Sequence, residues 1–358
     1  MASHLDPHAF DTAFDTARRG VDEGAVPFAI VAVAGAEGLV RLEAFSPAAG
    51  PRIGTNAVCL LASITKPITA TAVMRLASTG RFSLTRPLST WLPELDAPGL
   101  APITAWHVLT HTTGIADVDL EAVLLDGGDR AEYVRRTIAA GQGWAPGSRF
   151  LYATNTFEPL ATAVERALDR PLEAVLREEV LDPLGMTATT FEHARAGDLR
   201  TPITVGSWDG TISEAAGDAA VGEGLVAAYS SLRLAGGGLW STAADLVRFG
   251  RAMLRGGELD GVRVLGRPIV DLMTREVTVN GLGAMPDRLL DEHYAIGWGK
   301  PGPTSAGSPL AFGHGGVSGT RLWIDPAYDL VFVYLTGSWG GARETIDEVQ
   351  LAVYGALE

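Results

Sequence analysis

Short apolar runs lie near both ends of the chain, and amphipathic patterns lie between them. Residues 27–34 and 38–45 are two such runs separated by a short Gly-containing connection, which predicts a β-hairpin. Near the other end, residues 311–313, 320–324 and 330–335 predict three consecutive antiparallel strands, because turn-forming residues separate the last two runs. The pattern therefore predicts strand-rich ends with helices between them.

Helical periodicity covers residues from about 11 to 23 and a final stretch from about 343 to 357. Thr242 begins a further helix as a capping-box variant, and Gly256-Gly257 ends it. Residues from about 187 to 238 are rich in Gly, Ala and Thr, with weak periodicity. We expect these residues to form long loops over a site, where substrate selection commonly takes place.

The size and composition of the chain predict a globular protein with a large core. It has 358 residues, of which 47% are hydrophobic and 20% are charged. A chain of this kind forms one big domain or two intertwined domains. Its single cysteine, Cys59, excludes an internal disulfide and leaves no cysteine cluster for zinc, and its apolar neighbours predict a buried, inert thiol.

Net charge narrows the choice of partners. At −14 the chain would repel nucleic acid and an anionic membrane surface, and no basic cluster offsets that charge. No run of about 18 apolar residues is present to span a bilayer. The first residues lack the basic and apolar segments of a secretion signal, so we expect a cytoplasmic protein.

The basic residues point to the first candidate for chemistry. Only two of the 28 lysine and arginine residues are lysines, Lys66 and Lys300. Lys66 is the last residue of the tetrapeptide Ser63-Ile64-Thr65-Lys66. Unlike arginine, lysine can lose its proton near neutral pH, so Lys66 is a candidate base. In a helix, Ser63 and Lys66 lie on one face within hydrogen-bonding reach, as an activated serine nucleophile requires. The alternative is a helix-capping serine followed by a solvated first-turn lysine.

The flanks of this tetrapeptide favour the functional interpretation. Residues 58–62 are apolar, and residues 67–77 have a helical apolar pattern that Pro67 fits as a first-turn residue. A surface lysine does not normally sit between two apolar runs. If Ser63 starts a buried helix, its hydroxyl and N–H lie at the positive end of the helix dipole, where developing negative charge is favoured.

Many ordered motifs give the chain a resemblance to a known family. It resembles the serine β-lactamase and penicillin-binding-protein superfamily, in its class C branch, and family VIII carboxylesterases are closest in type. The branch also contains D,D-peptidases, D-aminopeptidases and acyltransferases. The matching segments span nearly the whole chain: residues 62–67, 107–114, 144–150, 152–154, 181–186, 236–242 and 313–316.

The resemblance implies a fold and a domain arrangement. The expected fold is α/β (α+β) and β-lactamase-like, with an antiparallel sheet flanked by helices and an inserted all-helical domain. Residues 1–75 and 235–358 would form the α/β domain that carries the sheet. Residues 76–234 would form the mainly helical domain, with long loops over the cleft between the two.

The same resemblance implies the catalytic roles. Ser63 matches the acylated nucleophile, Lys66 the residue that helps to deprotonate it, and Tyr152 the tyrosine that shuttles a proton to the leaving group. The ammonium favours a tyrosinate and burial lowers a lysine pKa, so Lys66 and Tyr152 can share protons. The backbone N–H groups of Ser63 and Val317 match the oxyanion hole.

Two departures from the family pattern affect the expected substrate. His314-Gly315-Gly316 matches the third motif, whose glycines let substrate approach closely, but many β-lactamases have lysine where His314 stands. Thr154 occupies the position of the asparagine that orients amide substrates in β-lactamases and penicillin-binding proteins, and Asn155 comes one residue late. We expect Thr154, His314, Gly315 and Gly316 to bind substrate, with weak recognition of a substrate carboxylate.

Other prominent residues have simpler explanations. His107 and His111 are four residues apart, but there is no adjacent Glu and no evident third ligand, so packing and capping are favoured over a metal site. Trp91, Trp106 and Trp144 lie in stretches that resemble structural parts of the helical domain. Four tryptophans come from regions nearer the expected cleft and could line an acyl pocket: Trp208, Trp240, Trp298 and Trp339.

The sequence therefore predicts a serine hydrolase that acts through a Ser63 acyl-enzyme, without metal or organic cofactor. We expect a carboxylesterase whose partner is a small-molecule ester or amide substrate. One alternative is a β-lactamase, D,D-peptidase or D-aminopeptidase-type amide hydrolase, and another is an acyltransferase. From a different class, a ligand-binding protein without turnover would keep the fold. The presence of Ser63, Lys66 and Tyr152 argues against a ligand-binding protein without turnover.

Overall fold

The computed structural model describes residues 6–49, 52–192, 204–205, 229–277, 293–302 and 305–357. Its strands, in chain order, are β1 Ala29–Ala34, β2 Leu39–Phe45, β3 Cys59–Leu60, β4 Thr204–Val205, β5 Trp240–Ser241, β6 Glu258–Leu259, β7 Val262–Arg263, β8 His293–Tyr294, β9 Gly299–Lys300, β10 Phe312–Gly316, β11 Thr320–Asp325, β12 Leu330–Leu335 and β13 Ser338–Trp339. Its α-helices are α1 Pro7–Asp22, α2 Thr65–Ser78, α3 Ala105–Leu109, α4 Leu120–Leu125, α5 Arg130–Ala139, α6 Phe157–Leu168, α7 Leu172–Leu176, α8 Ala243–Leu254, α9 Arg267–Thr274 and α10 Arg343–Gly355.

A seven-stranded sheet joins the two ends of the chain, in the order β2-β1-β12-β11-β10-β9-β8. All of its paired neighbours are antiparallel. The predicted hairpin forms from β1 and β2, and the three predicted C-terminal strands are β10, β11 and β12. The expected antiparallel sheet flanked by helices is confirmed.

The central strands are buried on both faces. Every residue of β1 and β12 is buried. In β1, Ile30 and Ala32 pack into one apolar core, and Val31 and Val33 pack into another on the opposite face, because successive strand side chains alternate. Helices α1 and α10 cover the second face, and α8 covers the first. This layering explains why these strands are continuous apolar runs.

Local signals account for where several helices begin and end. Asp6 caps α1 by accepting from the backbone N–H groups of His8 and Ala9, so this helix starts four residues before the predicted boundary near residue 11. Thr242 accepts from Asp245 N at the start of α8, as its sequence predicts. Helix α10 begins at the predicted residue and ends two residues early.

The first apolar core continues from the sheet into the middle of the chain. It includes buried side chains of α2, α6 and α7 as well as of β1 and β12. The division into residues 1–75 with 235–358 and residues 76–234 stays a prediction. Most of the loop region predicted over residues 187–238 lies outside the described residues. Among the helices that are described, none has the length and apolar character needed to cross a bilayer.

Candidate active site

A tight turn presents Ser63 just before a buried helix. Ala62–Ile64 is a 3-10 turn, and α2 begins at Thr65. Ala62 has a φ of 46°, in the left-handed region that non-glycine residues seldom adopt and that is often found at functional sites. The helix dipole is expected to favour negative charge at Ser63 on the condition that Ser63 starts the helix. Ser63 instead belongs to the turn that precedes the first α-helical residue, and its side chain is half-buried.

Hydrogen bonds attach this turn to the main sheet. Ser318 Oγ donates to the Leu60 carbonyl at 2.6 Å, and Thr320 Oγ1 donates to the Leu61 carbonyl at 3.0 Å. On the other side, the Leu61 N–H donates to the Leu239 carbonyl at 2.8 Å. Because the residues before Ser63 are held from both sides, its position relative to β10 and β11 is set by the sheet.

Lys66 lies one turn further along and points back to the serine. Its Nζ is 3.0 Å from Ser63 Oγ, 3.2 Å from Thr154 Oγ1 and 2.8 Å from the Gly236 carbonyl oxygen. The Lys66 side chain is fully buried, and no side chain caps the start of α2. The alternative of a capping serine and a solvated lysine is therefore wrong.

Burial also changes the acidity of Lys66. Loss of solvent lowers the Lys66 pKa to about 7, although the carboxylates of Asp117 and Glu158 act in the opposite direction. A neutral amine has two N–H groups and one lone pair. The Gly236 carbonyl can only accept a hydrogen bond, so it takes one N–H, and the lone pair can then accept the hydroxyl proton of Ser63.

Tyr152 lies beside the same ammonium group. Lys66 Nζ is 4.8 Å from the centroid of the Tyr152 ring, within the range of a cation–π contact. The ring packs on His111, with 4.4 Å between centroids, and lies 6.0 Å from the His314 ring. The structure thus places Ser63, Lys66 and Tyr152 around one point.

Thr154 and Asn155 have different environments. Thr154 Oγ1 faces Lys66, as given above. Asn155 is fully buried, and its Nδ2 donates to the Ala116 carbonyl at 3.0 Å. Asn155 therefore does not replace the asparagine that is missing at position 154.

Gly315 and Gly316, the two consecutive glycines that end β10, differ in what surrounds them. A Cβ on Gly316 would lie 2.2 Å from the Leu61 carbonyl oxygen and 2.2 Å from Thr320 Oγ1, so only glycine fits there. Gly315 is exposed, and a Cβ there would come no closer than 3.7 Å to the Thr320 carbonyl oxygen. The turn before Ser63 is thus what approaches Gly316 closely, whereas Gly315 has room for a Cβ.

His314 is buried and neutral. Its Nδ1 is 2.7 Å from the Gly315 carbonyl, which can only accept, so Nδ1 carries the proton and Nε2 accepts from the Tyr294 hydroxyl at 3.1 Å. Burial and the nearby Lys66 charge lower the His314 pKa to about 3. His314 therefore offers a substrate carboxylate no fixed positive charge at neutral pH.

Comparison with known proteins assigns the chain to a family. A family model described as Beta-lactamase matches residues 14–355. The chain belongs to the Beta-lactamase family. Proteins named as esterases are among its relatives by sequence, and the protein is a serine hydrolase.

Two proteins of similar sequence align with most of this chain. Esterase EstB of Burkholderia gladioli is 31% identical over an alignment of 398 positions, which covers 94% of each chain. Protein Rv1367c of Mycobacterium tuberculosis is 32% identical over an alignment of 343 positions, which covers 80% of this chain and 79% of that protein.

A solved structure shares the fold. The crystal structure of a family VIII carboxylesterase matches with a TM-score of 0.78 and 19% identity, and the match covers 99% of each chain. This likeness confirms the expected β-lactamase-like fold.

Sequence reasoning missed several groups around this Beta-lactamase family site. Glu158 is fully buried in α6, pairs with Arg130 at 2.8 Å, and accepts from the Gly236 N–H at 3.3 Å. Tyr294 supplies the hydroxyl that bonds to His314. The one available signal for Glu158 was a charge among apolar residues in the first turn of this helix.

The tryptophans near the expected cleft fall into different classes. Trp240 and Trp298 are fully buried, and neither reaches open space. Trp339 is half-buried and packs edge-on against Tyr229, with ring centroids 5.6 Å apart. The next residue, Gly340, donates its N–H to the Val317 carbonyl at 2.7 Å, so Trp339 lies beside the end of the third motif. Trp208 lies outside the described residues.

The two spaced histidines have structural contacts. The His107 side chain forms a capping box with Thr104 at the start of α3. His111 Nδ1 accepts from the Ala153 N–H at 3.2 Å, and burial lowers the His111 pKa well below its usual value. Among the residues that the structure describes, no three His, Cys, Asp or Glu side chains are placed to hold a metal ion. Cys59 is buried, as predicted.

Proposed function

We propose that the protein is a carboxylesterase that hydrolyses small esters through an acyl-enzyme on Ser63. The observation that carries the proposal is the 3.0 Å contact between Ser63 Oγ and a fully buried lysine whose pKa burial lowers to about 7. Such a lysine is a base at neutral pH, and an adjacent base is what a serine hydroxyl needs to act as a nucleophile.

In the first half of the reaction, Ser63 Oγ attacks the ester carbonyl carbon while its proton passes to Lys66. The backbone N–H groups of Ser63 and Val317 hold the oxyanion of the tetrahedral intermediate. The proton then passes to the leaving alkoxide through Tyr152, whose ring lies beside Lys66. The C–O bond breaks, the alcohol departs, and the acyl group stays on Ser63.

In the second half, water replaces the alcohol. Tyr152 and Lys66 take a proton from the water as its oxygen attacks the acyl carbonyl carbon. The second tetrahedral intermediate collapses, the carboxylic acid leaves, and the proton returns to Ser63 Oγ. The same groups therefore serve both half-reactions, without an additional base.

Two features favour esters over β-lactams and peptides. Thr154 offers Lys66 a hydroxyl but supplies no amide group to orient an amide substrate, and Asn155 faces elsewhere. Neutral His314 gives no ion pair to the carboxylate that penicillins, cephalosporins and C-terminal peptides carry. The 31% identity to a protein named Esterase EstB supports the same choice.

We place Trp339 and Tyr229 on the side of the cleft that faces the acyl group of the substrate. Tyr229 contacts Gly237, because a Cβ on that glycine would lie 2.1 Å from the Tyr229 hydroxyl, and the Ala62 carbonyl carbon would be 3.9 Å away. This aromatic pair is therefore close to the turn that carries Ser63. Two rings in this position suit a short, uncharged acyl chain.

Covalent labelling tests the nucleophile. Ser63→Ala removes the attacking oxygen, so turnover of p-nitrophenyl esters and labelling by a fluorophosphonate should both disappear. Intact-mass measurement should show a single adduct on the wild-type protein. The matched control is Ser78→Ala, since Ser78 is an exposed serine at the other end of α2 whose hydroxyl bonds to the Arg75 carbonyl. Retained labelling of Ser63→Ala would assign the chemistry to another residue. A labelled wild-type protein that gives one burst and no turnover would support the binding-protein alternative.

A further inference from the structure

We propose that Glu158, held by Arg130, is a positioning residue that fixes the Ala235–Gly236 backbone so that the Gly236 carbonyl orients Lys66 toward Ser63. The inference rests on the proposed role of Lys66 as the base. Glu158 itself touches neither Ser63 nor Lys66 through a hydrogen bond among the described contacts, and it acts through the backbone.

The contacts form a continuous chain from a buried carboxylate to the lysine. Glu158 Oε1 accepts from the Gly236 N–H at 3.3 Å. The Gly236 carbonyl then accepts from Lys66 Nζ at 2.8 Å. On the far side, Arg130 Nε donates to Glu158 Oε2 at 2.8 Å.

The surroundings leave this backbone segment little room to move. A Cβ on Gly236 would come within 3.2 Å of the Phe157 Cβ and the Thr154 carbonyl oxygen. Thr69 Oγ1 donates to the Ala235 carbonyl at 2.8 Å. Glu158 accepts from the N–H of the peptide whose carbonyl Thr69 holds, so this peptide is fixed from both sides. Removal of the carboxylate should leave it fixed from one side only and loosen the Gly236 carbonyl that Lys66 needs.

Hydrogen-bond partners indicate that Glu158 is ionised. Its described hydrogen-bond partners are both donors: the Arg130 guanidinium and the Gly236 backbone amide. A protonated carboxyl would find no acceptor among them. Burial raises the Glu158 pKa, and the Arg130 charge and the amide hydrogen bonds oppose that rise. Arg130 also pairs with Glu165, and the group made of these two residues and Glu158 carries one net negative charge.

That negative charge acts on Lys66 together with other nearby groups. Asp117 and Glu158 both favour the protonated lysine. His111 and His314 also face Lys66, but burial lowers both of their pKa values, so both are neutral near pH 7. Tyr152 lies against the ammonium group. Loss of the Glu158 charge should therefore lower the pH at which Lys66 loses its proton.

The two-lysine composition allows a direct test. With ¹³C-labelled lysine, the protein gives side-chain signals from Lys66 and Lys300 only, and Lys300→Arg assigns them. In Glu158→Gln the pH midpoint of the Lys66 titration should fall by about one unit, and the midpoint of the Lys300 titration should not change. An unchanged Lys66 midpoint would overturn the electrostatic part of the proposal. This readout needs no substrate, so it stays informative even if the esterase proposal fails.

Kinetics tests the positioning part. In Glu158→Gln, kcat for a p-nitrophenyl ester should fall at least about tenfold with little change in KM, because ground-state binding does not use Glu158. The matched control is Glu165→Gln, which loses a bond to the same Arg130 but does not contact Gly236. An equal loss of kcat in both variants would contradict the positioning role and would show that Glu158 matters only as a partner of Arg130.

A second variant covers the case in which Glu158→Gln does not fold. Glu158→Asp keeps the charge opposite Arg130 but shortens the reach to Gly236. It should lower kcat while leaving the Lys66 midpoint near its wild-type value. Wild-type kcat in a folded Glu158→Asp protein would contradict the positioning role.

Discussion

At the scale of single residues, the lysine content of this chain reflects a chemical need. Arginine supplies nearly all of the positive side-chain charge, and in the proposed mechanism Lys66 is the residue that must exchange a proton. Its burial removes water from the ammonium group, and three oxygen atoms at hydrogen-bonding distance replace that water. The result is a lysine that can be neutral at physiological pH while aimed at Ser63.

Lys66→Arg should lose about a thousandfold or more in kcat/KM for esters, because a guanidinium is not a base near neutrality. The matched control is Lys300→Arg, which exchanges the other lysine in the sheet strand β9 and should keep near-wild-type activity. Steady-state kinetics on both proteins, with circular dichroism as a folding check, makes the comparison. Near-wild-type activity of Lys66→Arg would remove Lys66 from the mechanism.

The pH dependence of kcat/KM should follow the same lysine. Burial lowers the Lys66 pKa to about 7, and the reaction needs its neutral form, so activity should be complete above that pH and fall as the pH drops through it. His314, with a pKa lowered to about 3, does not titrate in this range. A pH–rate profile that stays flat from pH 8 to pH 5.5 would contradict the assignment.

At the scale of elements, the site depends on how closely β10 packs on the turn before Ser63. Gly316 of β10 leaves no room for a Cβ against the Leu61 carbonyl, and Thr320 of β11 bonds to the same carbonyl. Ser63, the proposed nucleophile, is therefore positioned by the sheet as well as by the helix that follows it.

Substitutions at the paired glycines should separate packing from binding. Gly316→Ala should destabilise the fold by about 1–3 kcal/mol, because the Cβ overlaps rigid backbone, and should lower kcat by displacing the turn. Gly315→Ala meets only an ordinary contact and should keep the melting temperature, while raising KM by intruding on the cleft. Thermal melts and kinetics on both variants test this. Equal melting temperatures for the two variants would contradict the packing account.

At the scale of the whole molecule, the sequence predicted the sheet better than the site. Strands β1 and β12 were predictable because their apolar runs are buried on both faces. Ser63 and Lys66 were predictable because their separation of three residues is local. The Glu158–Arg130 pair was not, since 28 positions separate its members and only the packing of α5 on α6 brings them together. The same holds for Gly236, which lies 170 positions from Lys66.

Substrate class is also a property of the assembled site. Thr154, neutral His314 and the aromatic pair Trp339 and Tyr229 come from distant parts of the chain and together favour an uncharged ester. Thr154→Asn should restore an amide group beside Lys66 and raise β-lactam turnover more than ester turnover.

The most direct test of the central claim compares kcat/KM of the wild-type protein for a short-chain p-nitrophenyl ester and for nitrocefin. We predict that the ester value is larger by at least about a hundredfold, roughly 2.7 kcal/mol of differential transition-state binding. Ser63→Ala measured in parallel should abolish both activities. If nitrocefin proves to be the better substrate of the wild-type protein, the carboxylesterase account is wrong and the β-lactamase alternative replaces it.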